Sequence, residues 1–74
     1  MSYDYSKLLG KITEQFGTQY NFAIAMGLSE RSISLKLNGK TSWRDSDIEK
    51  AMSVLHADVR DIPDYFFKKK VHVA

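Results

Sequence analysis

Residues 25–40, AMGLSERSISLKLNGK, gather hydrogen-bonding and charged side chains at close spacing: Ser29, Glu30, Arg31, Ser32, Ser34, Lys36, Asn38 and Lys40. Ile33 and Leu37 stand four apart and mark one side of a helix. At about 100° per residue, Arg31, Leu35 and Asn38 then face away from that side, with Ser32 and Ser34 flanking them. A guanidinium, a carboxylate, hydroxyls and an amide on one short rigid rod carry the chemistry of recognition. Leu35 adds an apolar contact in their midst, and the whole face is suited to another macromolecule.

Reaction chemistry finds less support. Gly39-Lys40-Thr41 imitates the end of a phosphate-binding loop, but the glycine needed five residues earlier is Ser34, and a helix precedes it instead of a strand. His56 and His72 have no acids or further histidines at metal-ligand spacing, so both read as surface residues. No Ser-His-acid set is placed where so short a chain would assemble it into a cleft. The expectation is a protein that is not an enzyme and that needs neither cofactor nor metal.

Several short helices must position the rod. Tyr5, Leu9, Ile12 and Phe16 recur at 4, 3 and 4, predicting a first helix capped by Asp4 or Ser6 and stopped by Gly17. Thr18 caps a second, with Phe22, Ala23 and Met26 on one face and Gly27 ending it. Ser29 caps the third, which Asn38-Gly39 closes. Asp45 or Ser46 opens a fourth with Ile48, Ala51, Met52 and Leu55 inward. Val59, Ile62, Tyr65 and Phe66 predict one more, with Pro63 in its first turn and Tyr65 and Phe66 packed onto the first helix. Trp43, between the third and fourth, reads as a cap on the core rather than a stacking platform. A strand is conceivable only over 70–73. The class is all-α, four to five short helices, with residues 1–67 as one domain and 68–74 as a basic tail.

Between the second and third helices the types follow a physical need. A steep crossing over a tight turn wants a small residue at closest approach, Ala23, and a residue free to take positive φ, Gly27. Phe22, Met26, Leu28 and Ile33 supply the apolar lock. This is a helix-turn-helix arrangement over about residues 18–39.

Charge is uneven. Residues 1–44 hold six bases and three acids (+3), residues 45–67 two bases and six acids (−4), and Lys68, Lys69 and Lys70 add +3. A polyanion would prefer the first half and the tail, although balance alone favours ordinary solvated charge. Phe66-Phe67-Lys68-Lys69-Lys70 is a weak signal for anionic lipid. With 74 residues there is one small core, and with no cysteine no disulfide framework. No apolar run approaches a membrane span and no secretion signal opens the chain, so a soluble protein of the cytoplasm is expected.

YDYSKLLGKI, FAIAMGLSERSISLKLNGK, IEKA and IPDYFF resemble the small Cro and repressor-type helix-turn-helix regulators of phages. More narrowly they are similar to the modulator-of-repression, or antirepressor, proteins of temperate lactococcal phages. The resemblance implies a lambda-repressor-like fold and a role in the lysis/lysogeny switch. The phage repressor, double-stranded operator DNA and a second copy of the chain are then the implied partners. It also implies roles: Gln19, Asn38 and the Ser29 amide at phosphates, and Glu30, Arg31, Ser34 and Leu35 at base edges. Lys36, Lys40 and Arg44 would add nonspecific attraction to the DNA backbone. An exposed Leu35 would equally anchor the repressor, and Val59 to Phe67 is the candidate dimer surface. The alternative is a Cro-type repressor acting alone on DNA as a homodimer.

Overall fold

The computed structural model describes residues 3–70. Five α-helices follow one another: α1 Ser6–Phe16, α2 Gln19–Met26, α3 Glu30–Leu37, α4 Asp45–Val54 and, after a 3-10 turn at Val59–Asp61, α5 Ile62–Phe66. The described residues hold no strand, and only an isolated bridge pairs Tyr3 with Lys69. Nearly all of the tail segment 70–73, with His72, lies outside the described residues. Among the described residues no helix is long and apolar enough to cross a membrane.

Helix ends are set by side chains close in sequence. The Asp4 carboxylate accepts from the Ser6 amide at 2.9 Å and from its hydroxyl, so α1 begins under Asp4 although Tyr5 is the boundary residue. These bonds hold the Asp4 carboxyl below its ordinary range. Thr18 accepts from the Asn21 amide at 3.1 Å, and Asn21 in turn donates to the Phe16 carbonyl at 2.9 Å, tying the end of α1 to the start of α2.

Gly27 (φ 70°) closes α2 with two crossed bonds, its own amide to the Ile24 carbonyl and that of Leu28 to Ala23. Gly39 (φ 74°) closes α3 the same way, through Lys36 and Leu35. At the end of α4 the residue in this position is His56, with φ 52°. A β-carbon is disfavoured in that left-handed conformation.

The core is buried Leu8, Ile12, Phe22, Ala23, Met26, Ile33, Leu37, Ile48, Ala51, Met52, Leu55, Tyr65 and Phe66. α1 packs on α2 and α5, and α2 on α3 and α4. The fourth helix buries the face its spacing predicts. The first does not quite: Leu8 is fully buried while Tyr5, Leu9 and Phe16 only flank the core. Because α1 meets α2 on one side and α5 on another, its apolar face is wider than a single 4-3-4 stripe. Trp43 lies over the core as expected, its ring centroid 5.0 Å from that of Phe66. Val59 departs outright from the predicted inward face: it is 72% exposed on the 3-10 turn.

Candidate recognition surface on the third helix

Two helices of eight residues each are marginal alone. Here they hold each other. Phe22, Ala23 and Met26 of α2 and Ile33 of α3 are buried in the common core, Leu28 is half-buried in the turn, and the Ser29 hydroxyl accepts from the Ser32 amide at 3.1 Å. That cap and the closure at Gly39 fix α3 at both ends, so its outer side chains are presented on a firm base.

Of the residues expected to face outward or to make contact, Ser29, Glu30, Arg31, Asn38 and Lys40 are exposed, while Gln19, Ser32, Ser34 and Leu35 are half-buried. Leu35 is therefore not the free apolar knob its spacing suggests. It sits in a shallow groove of about 290 Å³ with Leu28, Ser32, Thr41 and Arg44. The Asn38 amide group is engaged locally, donating to the Ser34 carbonyl at 2.8 Å.

Lys36 requires a correction. Expected among the outward cations, it is 7% exposed, with Nζ 2.9 Å from an Asp47 carboxylate oxygen and donating to the Ser42 carbonyl at 3.1 Å. Nζ also lies 5.9 Å from the centre of the Trp43 ring. The physical reason is plain in the spacing: Ile33, Lys36 and Leu37 stand at i, i+3 and i+4, so Lys36 shares the buried side and points at α4.

Asp47 serves both helices, since it also accepts from the Arg44 amide at 3.0 Å at the start of α4. Burial pushes its carboxyl up, but the hydrogen bonds from Arg44 and Lys36 and the charges of both outweigh that and hold it below the ordinary carboxylate range. The pair clips the start of α4 to the end of α3 and shapes the loop bearing Trp43.

The surface left around α3 carries three exposed cations, Arg31, Lys40 and Arg44, none ion-paired among the described residues, and one exposed acid, Glu30. Its potential is positive but thin. Sequence reasoning missed Thr41 as a wall of the Leu35 groove. It also missed Tyr20 and Ile24, 56% and 62% exposed on the outer side of α2. The signal for that pair was present: they stand four apart and off the stripe of Phe22, Ala23 and Met26.

The solved structures include a close likeness. The solution structure of the modulator of repression of the temperate bacteriophage TP901-1 from Lactococcus lactis is similar with a TM-score of 0.81 and 69% identity, over 97% of each chain. No curated protein matches the sequence. Residues 1–69 match the family described as a protein of unknown function, DUF739. With all but its last five residues matched, the chain belongs to the DUF739 family.

Proposed function

We propose that the chain is a phage regulator of the lysis/lysogeny switch that acts by direct contact with the phage repressor, blocking operator binding or joining it in a complex. The observation that carries this reading is the 69% identity, over 97% of both chains, to a protein named a modulator of repression. The thin potential around α3 supports protein contact over operator binding alone. With Lys36 withdrawn, three cations per chain engaging three phosphates would give a salt slope of only about −3, or about −5 for a homodimer, where strong operator binders reach about −10. The proposal needs neither a reaction nor a cofactor, and places the protein where repressor and operator are, in the bacterial cytoplasm.

Cro-type operator binding by a homodimer is kept as the second reading because α3 is capped, seated and exposes Arg31. In that reading Gln19, Ser29 and Asn38 touch phosphates and Glu30, Arg31, Ser34 and Leu35 the base edges. Arg31→Ala then weakens operator binding by about 1–3 kcal/mol and blurs one base position. The deciding experiment is a gel-shift series on the phage's early promoter region, with and without its repressor. Loss of the repressor's shift, or a further shifted joint species, supports the first reading. A shift by the chain alone that the repressor does not alter supports the second.

A further inference from the structure

Away from α3, where α4 meets the 3-10 turn and α5, a groove of about 400 Å³ runs along the surface. Ile48, Met52 and Ile62 lie at its base, and two strongly exposed apolar side chains, Val59 (72%) and Phe67 (50%), stand along it. Among the described residues that line it, the charged ones are Asp45 and Glu49 of α4, and both are negative. Exposed apolar side chains gathered on a domain this small mark a contact surface, because each would otherwise face water at a cost.

The carboxylates decide what kind of contact. They repel phosphate, so neither nucleic acid nor an anionic lipid surface fits here. A protein surface whose apolar side chains are bordered by lysine and arginine does, since it covers Val59 and Phe67 while its cations meet Asp45 and Glu49. We infer that the groove of α4, the 3-10 turn and α5, not the outer face of α3, is the primary docking site for the repressor, and that it takes a basic, apolar-centred patch of that protein. This rests on the repressor contact proposed above and adds the surface and the chemistry that recognises it.

Val59→Arg and Glu49→Lys both alter exposed side chains, and circular dichroism of each variant confirms that the helices persist. Titration calorimetry of the full chain with its phage repressor should show each variant weakened by about tenfold or more. Glu14→Lys, which makes the same charge change on exposed α1, stays within about twofold of wild type. In a parallel measurement that needs no variant, adding repressor to the isotope-labelled chain shifts the amides of 45–52 and 59–67 most.

Groove variants that bind as wild type, or amide shifts concentrated on 29–38, overturn the docking site and leave the repressor contact standing. A wild-type chain that fails to bind the repressor at all removes both. Sedimentation that shows self-association abolished by Val59→Arg assigns the groove to a second copy of this chain and also overturns the inference.

Discussion

The α2–α3 half and the α4–α5 half of this molecule expose opposite surfaces. The first is capped at each helix start, closed by glycines in left-handed conformations, and presents hydroxyls, an amide and three cations around one half-buried leucine. The second presents carboxylates around unburied valine and phenylalanine. The first half leaves Tyr20 and Ile24 exposed on the outer side of α2 and buries its other apolar residues at least in part. The second leaves Val59 and Phe67 exposed beside two carboxylates. The difference lies in the charge and grooving around those side chains, and it teaches that the half with the better-formed motif need not be the half that binds another protein.

The contrast can be broken most severely at its packed side. Phe22→Ala removes a fully buried ring of α2 from the core and should cost about 3–5 kcal/mol in denaturant unfolding. Val59→Ala deletes an apolar group of the other half that packs on little, and should stay within about 0.5 kcal/mol. Equal costs would mean that the valine stabilises the fold and is not a free contact.

The next effect separates two lysines of the same segment. Lys36→Ala leaves the Asp47 carboxylate without its ammonium partner and should cost about 2–3 kcal/mol, less than for a fully buried pair because Asp47 keeps some solvent. Lys40→Ala, on the exposed surface, should be nearly silent in the same unfolding experiment. If the two losses match, Lys36 is an outward cation after all.

Acid tests the same clip. A carboxyl held low in the folded state stabilises the fold above its unfolded value of about 4, and that contribution is lost as pH falls through the lower folded value. Thermal unfolding should therefore show stability declining below about pH 4. Asp47→Asn should be less stable at neutral pH and show a shallower acid decline. An unchanged profile removes the clip from the account.

The smallest effect lies at the junction of the two regions. His56→Gly relieves the left-handed strain at the end of α4, partly offset by glycine's entropy in the unfolded chain, and should raise stability by about 0.5–1 kcal/mol. A lowered melting temperature would show that the imidazole makes a contact worth more than the strain.

Most of the helical plan was legible because local chemistry decided it. Thr18, Gly27, Ser29 and Gly39 each act within a few residues, and the α4 stripe of Ile48, Ala51, Met52 and Leu55 meets the core on one side only. What escaped depends on partners distant in sequence. Leu8 is buried because α5 returns to cover α1, and Val59 is exposed because the 3-10 turn lifts it off the face shared by Tyr65 and Phe66. Lys36 was legible by spacing alone, yet a charged residue suggests an outward position until Asp47 is known to lie opposite. On the candidate surface of α3, Ser29, Glu30, Arg31, Asn38 and Lys40 are exposed, while Lys36 and Leu35 are less open than their expected roles require. The acidic groove had no motif to announce it, only the −4 charge of residues 45–67 and apolar residues left over from a weakening pattern.

The central claim, that this chain works by holding a repressor, is tested most directly by size-exclusion chromatography of the purified chain with its phage repressor in the absence of DNA. The account predicts that the two elute together and that the joint fraction no longer shifts operator DNA as the repressor alone does. Separate elution, with the chain by itself shifting the operator, would contradict it.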